Sequence, residues 1–254
     1  MRKHLVIPDT QVRPGVDTTH LDWLAQAILE YRPDVIVHLG DHWDLPSLST
    51  HDAPGSKEAE GRRVKDDIDA GNEAWLRFWT PVEKRIKKTI SSHRKRWTPE
   101  CHVHDGNHEN RMTRAIFRDP KWDGLLSLDC MKTPGFKRHP FLKINKIDGV
   151  RYCHFFPGPH TGRAIGGTPQ NRIAKIGGSH VQGHVQGRIF GSTQYPDHVA
   201  HCIVVGSFYL HDEHYRPEDV QASEWRGIVV LNEVEDGDFD PMFLSINYLR
   251  RRFG

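Results

Sequence analysis

HLVIPD (residues 4–9) and DVIVHLGD (residues 34–41) are the two stretches that decide the fold of this 254-residue chain. Each is a short apolar run that ends in polar residues, the pattern of a buried strand followed by a loop. Between them, residues 17–33 carry apolar side chains at helical spacing and end at a proline. This strand–helix–strand order predicts a parallel pair with a right-handed crossover. Ligand sites in such sheets lie beyond the carboxyl ends of the strands, where Asp9 and Asp41 are both placed.

The rest of the chain divides into a β/α part and a mainly β part. A charged helix is predicted over residues 62–90, broken or kinked near Pro81, inside a charged helical insertion around residues 56–98. After Pro134 the pattern predicts short strands with one helix near residues 169–176. We therefore expect one domain over residues 1–254, an α/β fold with two packed sheets flanked by helices.

Composition limits the classes of protein that this chain can be. Hydrophobic residues make up 37% and charged residues 27%, which indicates a soluble globular protein. The formal net charge of +2 neither proves nor excludes a nucleic-acid partner. The four cysteines form no C-x-x-C pair, so we expect reduced thiols. No signal peptide and no run of about 20 apolar residues is found, so we expect a cytoplasmic protein without a membrane partner.

Groups able to bind a metal follow five of the apolar runs. The five stretches are DTQ (residues 9–11), GDHWD (40–44), GNHE (106–109), CHF (153–155) and GHVQ (183–186). Each stretch follows a predicted strand, so all five fall at strand ends where polar side chains meet. GNHE is poor helix interior and poor core strand, and it indicates a tight turn that presents polar groups.

The order of these motifs resembles the calcineurin-like metallophosphoesterase superfamily. The family pattern is D-x-H, then G-D-x-x-D, G-N-H-E/D, a lone His and G-H-x-H. The resemblance covers nearly the whole chain and implies a four-layer α/β/β/α sandwich of two mixed sheets flanked by helices. IPDTQV (residues 7–12) also resembles phage and prophage members of the superfamily. This resemblance implies that the protein acts in the cytoplasm of a host cell.

The resemblance implies a role for each matching residue. Asp41 would bridge two divalent metal ions, and Asp44 would orient His108, the general acid or stabiliser of the leaving oxygen. A shared carboxylate suits a metal pair, and a histidine held by a carboxylate has its tautomer fixed. The implied metal ligands are Asp9, Gln11, Asp41, Asn107, His154, His184 and Gln186.

Three departures from the family pattern change these expectations. D-x-H is here D-x-Q with Gln11, and G-H-x-H is here G-H-V-Q with Gln186. Both substitutions fall on one metal, which favours Mn²⁺ or Mg²⁺ there and leaves that site weak or empty. Zn²⁺ or Fe remains an alternative on the histidine side. Phosphoprotein phosphatases have Arg-Gly after the second Asp of G-D-x-x-D, whereas this chain has Leu45-Pro46. A phosphate clamp must then come from elsewhere, and the candidates for substrate binding are Arg13, Arg111, Arg163 and His42.

Plainer interpretations stay open for the same residues. Asp9 and Asp41 can be turn formers, His154 a hydrogen-bonded core histidine and His42 a packed one, and either glutamine can lie outside the ligand set. Basic runs at residues 83–88, 93–96 and 250–254, with Trp43 and Trp97, make nucleic acid a candidate partner, although such runs are usually solvated surface.

These features lead to one expected function with two alternatives. We expect a metal-dependent phosphoesterase in which metal-bound hydroxide attacks phosphorus in line, as the resemblance implies. A phosphodiester, with nucleic acid as a candidate, is the first substrate class. The alternatives are a phosphomonoesterase and a non-catalytic binding module whose second metal site is eroded. No feature of the sequence predicts the oligomeric state.

Overall fold

The computed structural model describes residues 1–50, 60–91, 96–213, 219, 221 and 223–254. The helices are α1 (His20–Tyr31), α2 (Val64–Ser91), α3 (Asn110–Arg118), α4 (Pro169–Ile176) and α5 (Ile246–Phe253). The strands are β1 (Arg2–Ile7), β2 (Val35–His38), β3 (Glu100–His104), β4 (Lys137–His139), β5 (Asn145–Ile147), β6 (Val150–Cys153), β7 (His180–Gln182), β8 (Arg188–Gln194), β9 (Val199–Val205), β10 (Gly227–Glu235) and β11 (Asp238–Ser245). None of the described helices is both long enough and apolar enough to cross a membrane.

Two mixed sheets form the centre of the fold. The first has the order β11-β10-β1-β2-β3-β4. Strands β1 to β4 are parallel, β10 is antiparallel to β1, and β11 is antiparallel to β10. The second has the order β5-β6-β7-β9-β8, with β6, β7 and β9 parallel. The parallel pair β1–β2 joined through α1 confirms the crossover that the first 41 residues predict.

The layers follow from which side chains each face buries. One buried cluster lies between the sheets and joins Val37 of β2 to Val181 of β7. A second cluster packs α1, α2 and α5 against the other face of the first sheet, with Trp75 and Phe78 fully buried. Ile173 of α4 packs on the outer face of the second sheet. The predicted fold class, two mixed sheets flanked by helices in four layers, is confirmed.

Two details refine the prediction. The helix of the charged region runs through Pro81 as one element, so the predicted break is absent, and Phe78 and Val82 on either side are buried in the core. A kink at Pro81 stays a prediction. The basic run at the carboxyl end belongs to helix α5, which exposes Arg250, Arg251 and Arg252 and buries Ile246 and Leu249. Residues 56–59 and 92–95 of the predicted insertion, which include residues 93–95 of the second basic run, lie outside the described residues.

Candidate metal centre and phosphoester site

The carboxyl ends of the parallel strands bring the predicted site residues to one edge of the sandwich. Asp9 follows β1, Asp41 follows β2 and Asn107 follows β3 in the first sheet. His154 and His184 follow β6 and β7 in the second sheet. The two sheets therefore contribute opposite walls of a single polar site, as expected for ligands beyond strand ends.

The histidine side of the site is a compact set of hydrogen-bonding atoms. Asn107 Oδ1 lies 2.8 Å from His154 Nε2 and 2.7 Å from His184 Nδ1. Asp41 Oδ2 lies 3.4 Å from His154 Nε2. Ligand atoms of Asp41, His154 and His184 all lie within 4.8 Å of one another. This is the arrangement that the motifs predict for one metal ion.

The protonation of the two histidines suits a cation. His154 Nδ1 lies 2.9 Å from the carbonyl of Leu39, so this nitrogen carries the proton and donates it. The lone pair of its Nε2 then faces the oxygens of Asn107 and Asp41 without a proton between them. Burial lowers the pKa of His154, and burial with the neighbouring His154 lowers the pKa of His184 to about 4. Both imidazoles are therefore neutral near pH 7, the form that binds metals.

Two buried carboxylates lie at the centre of the site. Asp9 is 0% and Asp41 1% exposed. Asp9 Oδ1 accepts a hydrogen bond from the backbone N–H of His184 at 3.1 Å, while Oδ2 is buried and has no partner among the described residues. Burial and the charge of Asp41 raise the pKa of Asp9 well above its usual range. Asp41 Oδ2 has His108 Nε2 at 3.7 Å, whereas Asp9 forms no ion pair among the described residues. A second buried negative charge without a partner is costly, so this pair of carboxyl groups fits a bound cation.

The glutamine side of the site is held differently. Gln11 is buried with a positive φ of 39°, and its backbone N–H donates to the carbonyl of Asp41 at 2.8 Å. Gln186 Oε1 accepts a hydrogen bond from the hydroxyl of Tyr209 at 3.5 Å. The structure thus ties Gln11 to the site through its backbone and engages the amide oxygen of Gln186 with a tyrosine. Their role as metal ligands stays a prediction.

His108 and Asp44 form a pair beside the carboxylates. His108 Nδ1 lies 2.8 Å from Asp44 Oδ1, and its Nε2 faces Asp41 Oδ2 at 3.7 Å. Burial alone would lower the pKa of His108, but Asp41 and Asp44 outweigh it and raise the value to about 9. Burial alone would raise the pKa of Asp44, but His108 and Arg13 hold it far below its usual range. The pair is an imidazolium–carboxylate couple near pH 7.

The predicted arginines take different places. Arg13 Nη1 lies 2.8 Å from Asp44 Oδ2 and 3.1 Å from Glu213 Oε2, so two carboxylates balance its charge. Arg111 donates from Nη1 to the carbonyl of Asp44 at 2.8 Å, and its Nη2 lies 3.3 Å from His108 Nε2. Arg163 is exposed in the loop before α4. Arg111 therefore lies beside the reacting side of His108, whereas Arg13 positions Asp44.

The prediction that His42 touches substrate is wrong. His42 is fully buried, and its Nδ1 lies 2.7 Å from the hydroxyl of Thr10. Its Nε2 donates to the carbonyl of Gly71 at 3.0 Å. Trp43, a candidate for stacking on bases, is 1% exposed and packs parallel to Trp75. Both side chains belong to the core because α2 covers this turn.

Glu109 joins the two turns that carry Asp41 and Asn107. Its carboxylate accepts backbone N–H groups at 2.7–3.0 Å. The four donors are those of Asp41, His42, Trp43 and Gly106. Glu109 therefore caps the backbone amides of both turns and fixes the two motifs relative to each other.

Two glycines are required because side chains of the site approach their backbone. A Cβ atom added at Gly106 would overlap Asp41 Oδ1, and one added at Gly183 would overlap Asp9 Oδ1. The glycines of GNHE and GHVQ thus leave space for the two carboxylates. Each motif combines a ligand-bearing turn with the space that the opposite ligand occupies.

Two residues of the site escaped the sequence interpretation. Tyr209 and Glu213 follow β9, whose last residues are followed by Gly206 and Ser207. Ser207 forms a parallel bridge with Asp9, which brings this segment into the site. The signal was present, because an apolar run that ends in Gly-Ser has the same strand-end pattern as the five motifs. It was missed because Ser and Tyr are not metal ligands.

No protein-family model matches the chain. Two curated relatives are called "Gene 54 protein", one from Mycobacterium phage D29 and one from Mycobacterium phage L5. They are 33% and 32% identical to this chain over 110 residues, which is 43% of this chain. The match spans 37% of the length of each relative.

Three solved structures have a similar course of the chain. A predicted phosphoesterase from Streptococcus pneumoniae TIGR4 has a TM-score of 0.39 at 10% identity, covering 97% of this chain and 90% of that one. Vps29 from Entamoeba histolytica, complexed with Zn²⁺, has a TM-score of 0.39 at 10% identity, with coverage of 96% and 99%. A phosphoesterase from E. coli has a TM-score of 0.36 at 13% identity, with coverage of 96% and 100%.

The functional interpretation therefore depends on the residues of this chain rather than on these neighbours. Asp41, Asn107, His154 and His184 converge as the motif order predicts. Asp44 and His108 form the expected pair beside them. In motif order and in the geometry of this site, the chain resembles the calcineurin-like metallophosphoesterases.

Proposed function

We propose that this protein is a metal-dependent phosphoesterase whose first substrate class is a phosphodiester. The observation that carries the proposal is the buried carboxylate pair Asp9 and Asp41 next to two neutral imidazoles. Divalent cations bound there would lower the pKa of a water molecule and balance charge on phosphoryl oxygens. The residues that would hold one cation are Asp41, Asn107, His154 and His184, and those that would hold the other are Asp9, Gln11, Asp41 and Gln186.

His108 is the proposed general acid. Its Nδ1–H is donated to Asp44, so the proton on Nε2 is directed to the side of the site where Asp41 lies. The hydrogen bond to Asp44 fixes the ring, so the proton on Nε2 points to the place where a leaving alkoxide would take it. Asp44 and Arg13 hold the ring in this orientation and are positioning residues.

The charge around His108 favours a diester over a monoester. A phosphate monoester carries about −1.5 to −2 charges at pH 7, whereas a diester carries one. Arg13 is balanced by Asp44 and Glu213, which leaves Arg111 as the guanidinium beside His108 in the described part of the chain. One such cation suits the smaller charge of a diester.

Cation preference follows from the donor atoms. Imidazole nitrogens on the histidine side suit Zn²⁺, Fe or Mn²⁺, whereas carboxylate and carboxamide oxygens on the glutamine side suit Mn²⁺ or Mg²⁺. We propose two divalent cations, with the one near Gln11 and Gln186 bound more weakly. Gln186 Oε1 lies 3.5 Å from the hydroxyl of Tyr209, a long contact, so the weaker binding follows from the donor atoms alone.

Hydrolysis of small aryl esters tests the proposal. We expect turnover of bis(para-nitrophenyl) phosphate that depends on added Mn²⁺ and is lost with a chelator. Para-nitrophenyl phosphate is the matched monoester. Turnover of the monoester alone would favour the phosphatase alternative. Bound metal without turnover of either ester would favour the binding module and contradict the proposal.

A further inference from the structure

Helix α3 begins directly after the turn that carries His108. Its sequence, NRMTRAIFR, contains three arginines and no acidic residue. Arg111, Arg114 and Arg118 are spaced three and four residues apart, so they lie on one face of the helix. Along the axis they span about 10 Å at a rise of about 1.5 Å per residue. The helix therefore carries a basic stripe away from the reacting side of the site.

The three arginines line one cleft. The cleft lies between α3 and the short turn after Asp44, and its walls are Leu48, Thr50, Arg111, Arg114, Ala115 and Arg118. At one end Arg111 Nη2 lies 3.3 Å from His108 Nε2. At the other end Arg114 and Arg118 are exposed. The cleft thus lies on the surface beside the site, and Arg111 links it to the proposed general acid.

The charge of this cleft is available to a ligand. Arg111 is held by the carbonyls of Asp44 and Leu45, and its Nη1 lies 3.7 Å from Asp44 Oδ1, so the carboxylate that also contacts Arg13 and His108 offsets part of its charge. Within residues 1–50, 60–91, 96–213 and 223–254, neither Arg114 nor Arg118 forms an ion pair. An anion that extends from the site would meet three positive groups in a row, which favours a chain of phosphates.

Aromatic side chains stand beside the stripe. Phe117 is 88% exposed and lies three residues from Arg114. Trp122, in the turn after α3, is 40% exposed, and Lys121 Nζ lies 5.3 Å from the centre of its ring. An exposed aromatic ring next to a basic groove provides a face on which an unpaired base stacks. Phe117 is hardly covered by the described chain, whereas Trp122 is only partly exposed.

We propose that α3 and the cleft beside it bind a single strand of nucleic acid that leads into the phosphoester site. Phosphates lie along Arg111, Arg114 and Arg118, and bases stack on Phe117 and Trp122. The strand is single because bases in a duplex are paired and stacked on each other and cannot reach these rings. The assignment rests on the proposed function in one respect, since it makes the strand the phosphodiester substrate.

Binding of a fluorescein-labelled oligothymidylate tests this surface. Anisotropy titrations of the full chain, with chelator to prevent cleavage, give the dissociation constant at several salt concentrations. For Arg114→Gln with Arg118→Gln we expect weaker binding and a salt slope smaller by about 1.4, since each phosphate contact on a single strand contributes about 0.7. For Phe117→Ala we expect binding on the order of tenfold weaker with the slope unchanged.

A matched variant removes equal charge elsewhere. The control variant, Lys84→Gln with Arg85→Gln, changes two exposed residues of α2 within the basic run at residues 83–88. We expect it to bind the oligonucleotide with wild-type affinity. Equal weakening by both double variants, or equal affinity of wild type for duplex and single strand, would overturn the proposal. Unfolding midpoints of all variants identify any that fail to fold, and Phe117→Ala then provides an independent test.

Wild-type hydrolysis of bis(para-nitrophenyl) phosphate tests the proposed function independently of strand binding. Hydrolysis without strand binding would overturn the α3 surface and leave the phosphoesterase proposal standing. Strand binding that depends on Arg114 and Arg118 without hydrolysis of any ester would support the surface and overturn the phosphoesterase proposal.

Discussion

The histidine side and the glutamine side of the site share Asp41 but are built from different chemistry. On the histidine side, Asn107 Oδ1 lies within 2.8 Å of two imidazole nitrogens, and the carbonyl of Leu39 fixes one ring. On the glutamine side, Gln186 already accepts a hydrogen bond from Tyr209. The first side gathers its donor atoms through short contacts, whereas the hydroxyl that Gln186 contacts lies 3.5 Å away, too far to hold that oxygen firmly.

A shared bridging carboxylate therefore does not give the two sides equal affinity for a cation. Asp9 and Asp41 favour a cation on either side because both carboxyl groups are buried, and burial with the charge of Asp41 raises the pKa of Asp9, a penalty that a cation would relieve. The neutral ligands decide how tightly it is held, since imidazole binds first-row metals more strongly than a carboxamide does. The predictions below separate what the two sides share from what they do not.

The largest effect is expected from a residue that belongs to neither side. His108→Ala removes the proposed acid, and we expect turnover to fall by about 10²–10⁴. Metal content should stay at the wild-type value because Asn107, and not His108, is the ligand of this turn. Steady-state hydrolysis and metal analysis on one preparation check both, with exposed His198→Ala as control. Loss of metal together with activity would show that His108 is a ligand.

A change at Glu109 should lower the stability of the two turns that carry Asp41 and Asn107. Glu109→Gln replaces an acceptor of four backbone N–H groups by a side chain with one oxygen and an amide that repels donors. Hydrogen bonds to a charged group contribute about 1.5–3 kcal/mol each, so we expect about 3 kcal/mol lower free energy of unfolding. Urea unfolding checks this, with exposed Glu233→Gln as control. Wild-type stability would disprove the clamp.

Acid should lower the stability of the protein through His20, which packs beneath the glutamine side. His20 is buried against Phe208, whose backbone N–H donates to the carbonyl of Asp9 at 2.7 Å. Burial lowers the pKa of His20 from 6.5 to about 3, so the unfolded chain binds a proton more readily than the folded one. The stabilisation is complete above about pH 6.5 and decreases as the pH falls towards 3, by about 2 kcal/mol at pH 5.

Urea unfolding of the metal-free protein at pH 7 and pH 5 measures that loss. Other buried histidines, such as His104, contribute in the same direction because burial also lowers the pKa of that ring to about 3. His20→Gln lowers stability at both pH values but should reduce the difference between them. An unchanged difference in the variant would show that His20 does not titrate on unfolding.

The smallest effect is expected from restoring the missing imidazoles. Gln11→His with Gln186→His should tighten the weaker site by about tenfold, the size of change seen when partners of metal ligands are altered, and shift it towards Zn²⁺. Competition between Zn²⁺ and Mn²⁺ measures the shift. Gln194→His, which adds an imidazole at an exposed position of β8, is the control. No gain in the double variant would mean that the glutamines do not set the asymmetry.

Most of the fold and of the histidine side could be predicted from sequence. Apolar runs that end in GD, GN and GH give both the strands and the polar groups at their ends, and parallel strands bring those ends together. His154 was found because it directly follows such a run. The helix through Pro81 could not be predicted, because local propensity opposes it and the buried Phe78 and Val82 override that.

The glutamine side was predicted less well for a physical reason. The partner of Gln186 is Tyr209, which reaches it through the bridge of Ser207 with Asp9, a contact between residues almost 200 positions apart. Arg13 was interpreted as a phosphate clamp because its carboxylate partner Glu213 lies equally far along the chain. Such long-range polar pairs leave no local pattern to read.

Calorimetric titration of the metal-free wild-type protein with Mn²⁺ tests the central claim most directly. The two sides share Asp41 but differ in their neutral ligands, so two binding events of unequal affinity are predicted. The tight event should be lost in His184→Gln, which changes the histidine side alone, and hydrolysis of bis(para-nitrophenyl) phosphate should keep rising as the weak event saturates. Two equally tight events in the wild type, or no Mn²⁺ binding at all, would contradict the account.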